Sequence, residues 1–248
     1  MKTKGWLHIG PDPTILAWAQ AALPIAVRAL EGTAQPLRCG GTWAVGLDLL
    51  PNDLDGAIAG ASLPWGTFGL KPRALHPAQL SAILPGYPQP SHEETPAAFA
   101  FRKARDAAHL DGLLPIGPDR RRMVKEPHAW ILGLPLTPSG AGASPLVVWQ
   151  GSHDIMRDAL MTALAPFAPE SWADVDITDA YIAARKRIFD ICPRVEVPAQ
   201  PGEATLLHRL IVHGVAPWTS RAPVTRHGRI IAYFRPLMPS VKDWLSAP

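Results

Sequence analysis

The placement of proline and glycine constrains this chain most, with 28 Pro and 20 Gly scattered through 248 residues. Proline removes a backbone donor and glycine permits turns that other residues resist, so apolar runs between them must be short. No period organises these residues, which excludes collagen-like and solenoid architectures. Hydrophobic residues at 47% and charged residues at 18% supply enough apolar surface for a packed core. The expected fold is therefore mainly β with flanking helices (α+β), organised as one domain over residues 1–248.

In chain order, Pro13 to Glu31 opens with proline in a first turn and spaces Ile15, Leu16, Ala19, Leu23 and Ala26 helically, predicting a helix over 13–31 on the outside of a sheet. Gly40 to Leu50 alternates as a strand does and ends at the turn Pro51-Asn52-Asp53. Gly60 to Pro96 has weak periodicity and reads as irregular cover, with a short helix near Pro77 to Leu84. Ala98 to His109 is expected to be a strand, followed by a loop from Leu113 to Lys125. His128 to Leu136 and Ser144 to Trp149 read as buried strands. Helices over Ile155–Phe167 and Thr178–Cys192, the second with Thr178 as N-cap, would form an insertion at about 155–192. Strands at Val195–Val197, Thr205–His213 and Arg229–Phe234 complete the chain, with a turn at Pro201-Gly202-Glu203 and a loop around Trp218 to Gly228. Short strands with inserted helices fit a double-stranded β-helix, the cupin-like jelly roll.

A formal charge of +3 carries no long basic stripe, which argues against a nucleic-acid partner. Arg120-Arg121-Arg122 reads first as a solvated loop and second as an anion contact. Two cysteines, Cys39 and Cys192, are too few for a disulfide framework and suit a reducing cytoplasm. Ile15 to Leu30 follows Lys2 and Lys4, yet Gln20, Pro24 and Arg28 interrupt it and it is short for a bilayer, so no membrane association is expected.

His109-Leu110-Asp111-Gly112 places two donors at strand parity, so both can face one metal ion. His213, at the end of the run Leu206 to Val212, could supply the third ligand from a neighbouring strand; its odd separation from His208 would turn those two apart. Two histidines and a carboxylate leave open positions of the kind used by non-haem Fe(II) oxygenases. By the same parity Lys103 and Arg105 face the ligands and could contact an anionic substrate, while His128 and Trp130 are candidates for lining the substrate pocket. His92-Glu93-Glu94 also has a His-x-carboxylate pattern but reads as a solvated loop, and His153-Asp154 as a turn or cap.

The order His109-x-Asp111-Gly112, a strand, and then Gly142-Ala143-Ser144-Pro145-Leu146-Val147-Val148-Trp149-Gln150-Gly151-Ser152-His153 resembles the phytanoyl-CoA dioxygenase family of Fe(II)/2-oxoglutarate oxygenases. That family carries Pro-Gly-Ser-His where this chain has Gln150-Gly151-Ser152-His153. Pro201-Gly202-Glu203 matches its next turn, His213 its distal histidine and Arg229 its strand arginine, with Arg235 and Arg226 as alternatives because the spacing from His213 is long. The resemblance implies Fe(II), 2-oxoglutarate and O2 as cofactor and co-substrates, and hydroxylation of a small molecule as the outcome. Charge counting around Fe(II), Asp111 and 2-oxoglutarate leaves about one negative charge for such an arginine to answer. A metal-dependent cupin-type isomerase and a non-catalytic small-ligand-binding jelly roll are the alternatives.

Overall fold

Eleven strands and five α-helices are assigned in the computed structural model, which describes residues 1, 3–91, 94–219 and 226–247. His92, Glu93 and residues 220–225 of the loop before the last strand lie outside the described residues. The strands are β1 (Trp6–Ile9), β2 (Trp43–Leu50), β3 (Ala78–Ile83), β4 (Leu113–Ile116), β5 (Arg121–Val124), β6 (Trp130–Pro135), β7 (Leu146–Trp149), β8 (Arg194–Val197), β9 (Ala204–His208), β10 (His213–Val215) and β11 (Arg229–Phe234). The helices are α1 (Pro13–Gly32), α2 (Pro96–Ala104), α3 (Ser152–Leu164), α4 (Thr178–Ile191) and α5 (Val241–Ser246). A six-stranded sheet in the order β1-β9-β6-β11-β3-β2 faces a three-stranded sheet in the order β10-β7-β8, and β4-β5 forms a separate hairpin. The ladders are antiparallel, and the fold is a jelly roll.

Strand parity sorts the core into layers. On β6 and β11, Leu132, Leu134, Ile230, Ala232 and Phe234 turn outward and pack with Ile15, Trp18, Ala22 and Ala26 of α1. Ile131, Leu146, Val148, Leu207 and Ile211 turn inward between the sheets. Val147 and Trp149 leave the small sheet on its other side and meet Met156, Leu160, Tyr181 and Ile188 of α3 and α4. α1 begins where Asp12 accepts hydrogen bonds from the Thr14 and Ile15 amides, with Pro13 in the first turn. At 20 residues it is longer than the run read from the sequence and, by length and composition alone, could cross a bilayer; here it packs on the large sheet, as expected of a core helix.

Five local assignments differ from expectation. Ala78–Ile83 is a central strand, β3, where a short helix was expected; six residues, with Gln79 and Ser81 the only polar ones, are too few for a period to separate the two states firmly. Pro96–Ala104 is a helix where a strand was expected, because Thr95 accepts from the Ala98 amide and Pro96 stands in its first turn. Residues 113–125 form the β4-β5 hairpin instead of a loop. Thr205–His213 is broken: Ile211 N–H bonds back to the His208 carbonyl, and the chain crosses from the large sheet to the small one. At α4 the capping acceptor is Asp176, which takes the Thr178 amide and hydroxyl, so Thr178 is not itself the cap.

Candidate metal centre

His213 begins β10, and the segment after α2 lies antiparallel against it. Asp106 and Ala107 both take φ of 52°, which ends α2 and aims the following residues along β10. His109 and His213 exchange backbone hydrogen bonds of 2.8 and 3.1 Å, and the Val215 amide reaches the Asp106 carbonyl at 2.8 Å. This seam is tied from outside by Arg194 of β8, whose Nε and Nη2 grip the buried Asp106 carboxylate at 2.7 and 2.9 Å. The seam carries Asp111 inward beside both histidines.

His109 Nε2 stands 3.2 Å and His213 Nε2 3.7 Å from Asp111 Oδ1, and all three donor atoms lie within 4.8 Å of one another. Adjacent ligands at about 2.1 Å from a shared octahedral ion are separated by about 3 Å, so the donor set needs little closure to hold one. Each imidazole is oriented by its other nitrogen. His109 Nδ1 lies 3.0 Å from the Ala107 carbonyl and His213 Nδ1 3.1 Å from the Ile211 carbonyl. Donation there leaves the Nε2 lone pairs for a ligand.

Electrostatics prepares His213 and Asp111 for a cation, while His109 Nε2, 3.2 Å from Asp111 Oδ1, holds its proton more tightly than a free imidazole and must release it to a metal. Burial drives the His213 pKa down to about 4, so its ring is neutral near pH 7. Burial opposes charge on Asp111 as well, but the His109 hydrogen bond, the two histidines and Arg235 together hold its carboxyl well below the usual range. Burial also works against charge on His109, where the hydrogen bond and charge of Asp111 prevail and raise the pKa above the ordinary value. Arg235 Nη1 donates to Asp111 Oδ2 at 2.9 Å, which leaves Oδ1 toward the histidines.

The three side chains separate two spaces. Inward is a cavity of about 110 Å³ between the sheets, walled by Trp43, Gln79, Ser81, Ile131, Tyr233 and Arg235. Outward is a cleft of about 430 Å³ bounded by Phe101, Arg105, Arg122, Tyr181 and Arg185. His109 and Asp111 border both.

The remaining sequence candidates are distributed unevenly. Arg105 lines the outer cleft, but from the end of a helix and not by strand parity. Lys103 does not join it; α2 turns this residue out to solvent, over the Phe99 ring. Trp130 is excluded from the pocket by its own strand parity, which points it to the outer core where it meets Trp65 edge-on at 6.2 Å. His128 lies behind Arg235, donating from Nδ1 to the Arg235 carbonyl, and lines neither space. Arg226 is exposed and reaches Glu31 of α1 at 3.5 Å, away from the centre.

Arg229 is buried at the opposite end of the β11 face that presents Tyr233 and Arg235 and, unlike Arg235, borders neither space. Among the described residues its Nη1 has no hydrogen-bond partner, and neither does the hydroxyl of buried Tyr87, whose ionisation burial opposes and the Arg229 charge favours. Tyr87 stacks edge-on against Trp43 of the inner cavity, with ring centroids 5.6 Å apart. Tyr87, Gln79 and Ser81 escaped the sequence reading. Polar residues alternating with Leu80 were the available signal, lost once this run was taken as a helix. His208 belongs to a separate cluster, with His153 and Arg157.

No family model matches the chain, and no curated protein matches it. Among solved structures it is similar to the non-heme alpha ketoglutarate dependent carbocyclase SnoK from nogalamycin biosynthesis, with 16% identity and a TM-score of 0.52 over 98% of this chain and 85% of that one. EctD from S. alaskensis, crystallised with bound Fe, gives 13% identity and a TM-score of 0.46 over 94% of this chain and 73% of that one. The likeness to SnoK is one of fold, and it places the chain among jelly-roll structures.

Proposed function

We propose that the protein is an Fe(II)/2-oxoglutarate-dependent oxygenase that hydroxylates a small molecule. The observation that carries this reading is the donor set itself: two imidazole Nε2 atoms and one carboxylate oxygen converge within 4.8 Å, and each side chain is oriented by a second bond at its other polar atom. The unsatisfied donors of Arg229 and Tyr87 supply the second half. A buried guanidinium N–H without an acceptor is costly, and a carboxylate is the group its planar fork fits. The ketoglutarate dependence named for SnoK agrees with the reading without carrying it.

His109, Asp111 and His213 would hold the iron. Arg229 and Tyr87 would receive the distal carboxylate of 2-oxoglutarate, and Arg235 would keep Asp111 oriented and ionised. Bound together, iron and 2-oxoglutarate supply oxygen activation coupled to decarboxylation to succinate. Ile131, Leu146 and Leu207 give the inner space one apolar wall opposite its polar one, which limits water around these polar contacts. Asp111 matters for outcome too, since a carboxylate at this ligand position leaves no place for halide and favours hydroxylation.

The test is an anaerobic titration with Fe(II) and 2-oxoglutarate, read as a visible charge-transfer band, followed by succinate release in air. His109→Ala, Asp111→Ala and His213→Ala should each abolish the band while keeping the far-ultraviolet dichroism of the parent. A folded parent that gives neither band nor succinate overturns the proposal and returns the chain to the ligand-binding alternative.

A further inference from the structure

The outer cleft continues from the centre into a second depression of about 450 Å³ between α2 and α4, lined by Phe101, Arg105, Ile182, Arg185 and Phe189, with Lys186 and Asp190 at its rim. Two guanidinium groups converge there on one ring: the Arg105 and Arg185 carbons lie 5.2 and 5.3 Å from the Phe189 centroid. Arg105 also covers Phe101, and Arg185 covers Tyr181. Arg102, Arg121, Arg194 and Arg235 each have a carboxylate partner. Among the described residues Arg105 and Arg185 form no such pair, and Arg105 Nε is buried without a hydrogen-bond partner. Two like charges held against one ring repel each other, and stacking offsets only part of that cost. What the rings do provide is position, because contact with them holds both guanidinium groups at the cleft before any ligand arrives. Around them Phe101 and Ile182 are over half exposed, at 55% and 57%, which is unusual for large apolar residues flanking a charged cleft.

We propose that this cleft is a receptor for an amphipathic anion, a carboxylate or a phosphate monoester on an apolar body, gripped by Arg105 and Arg185 and covered by Phe101, Ile182 and Phe189. That the anion is the substrate rests on the oxygenase reading above, since the same cleft is bordered by His109 and Asp111. Arg105, Arg185 and Phe101 border both depressions while Ile182 and Phe189 line only the outer one, so the headgroup sits at the junction between the metal ligands and the apolar wall. A neutral substrate would leave the arginines unanswered.

The experiment uses the full chain without added iron and measures, by isothermal titration, binding of 2-naphthoate, 2-naphthyl phosphate and neutral 2-naphthylmethanol. At least one anion should bind ten times more tightly than the alcohol, and whichever anion is tighter names the headgroup. The Arg105→Gln/Arg185→Gln double variant should lose that preference while retaining the parent dichroism and affinity for the alcohol. Lys103→Gln, outside the cleft, should keep it. Equal binding of alcohol and anions by the parent, or an unchanged preference in the folded double variant, overturns the receptor. Because iron and 2-oxoglutarate are absent, a failed charge-transfer titration leaves this result standing, and a failed receptor leaves the iron titration standing.

Discussion

Gly214→Ala should dismantle the metal centre without touching a ligand. Gly214 sits between His213 and Val215 on β10, and a Cβ built there lands on the Asp106 carbonyl oxygen, well inside the 3.0 Å below which real Cβ atoms are not found. It also meets Ala108 N and Cα at 3.1 Å. The obstruction is backbone, so no rotamer can relieve it. Separating the strands by roughly 1 Å would be needed. That movement lengthens the seam bonds His109–His213 and Val215–Asp106, at about 0.5–1.5 kcal/mol each, and overpacking adds about 1–3 kcal/mol. A destabilisation of about 2.5–7.5 kcal/mol lowers Tm by about 5–30 °C in a chain of this size. The separation also moves His109 and Asp111 away from His213, whose present donor spacings leave little slack. Changes that disturb ligand positioning typically cost 10–100-fold in metal affinity, and the same range is expected for Fe(II). Calorimetry and anaerobic Fe(II) titration read the two effects separately. Gly10→Ala, where nothing lies within 4 Å of the added carbon, is the control. A Gly214→Ala protein that melts within about 2 °C of the parent and binds Fe(II) within about twofold refutes the seam as the determinant of ligand spacing.

Arg229→Gln should raise the KM for 2-oxoglutarate about 10–100-fold, the worth of one charge-assisted pair, and Tyr87→Phe by less. Iron binding without 2-oxoglutarate should be unchanged in both; a larger effect from Arg235→Gln on 2-oxoglutarate than from Arg229→Gln would reverse their roles. Stability should also fall with acidity through His208, which burial and the neighbouring Arg209, His153 and Arg157 hold neutral down to about 3. An unfolded histidine protonates near 6.5, so the unfolded state binds more protons between those values and stability present above pH 6.5 is lost as pH falls toward 3. By pH 4.5 this amounts to at most about 2–3 kcal/mol. His208→Gln should flatten the dependence of Tm on pH over 6.5–4.5, and an unchanged slope would exclude the histidine as its source.

Much of the frame was legible because local rules wrote it. Pro13 in a first turn and the helical spacing after it announced α1, the period of Ile155 to Leu164 announced α3, and alternation in Arg229–Phe234 announced β11 at its observed bounds. Proximity of His109 and Asp111 was legible from a spacing of two, although they reach each other from an irregular segment bridged to β10 and not from a regular strand. Short runs failed where periodicity had no room to speak. Ala78–Ile83 and Pro96–Ala104 exchanged states, and with them went the polar wall of the inner cavity and the supposed alignment of Lys103.

From the sequence alone, then, came the turn-rich β architecture, the covering helices and the residue types able to bind a metal. Tertiary structure decided which of those residues meet. His208 and His213, five apart, were separated by a chain reversal into different sheets, so parity along one strand never governed them. Trp130 was turned to the outer core and Ile131 to the cavity by the sheet's second face. Arg105 and Arg185 were brought to one phenyl ring from helices eighty residues apart. The physical reason is that a backbone period specifies which side chains share a face, whereas the packing of sheet on sheet and helix on sheet specifies what that face looks at.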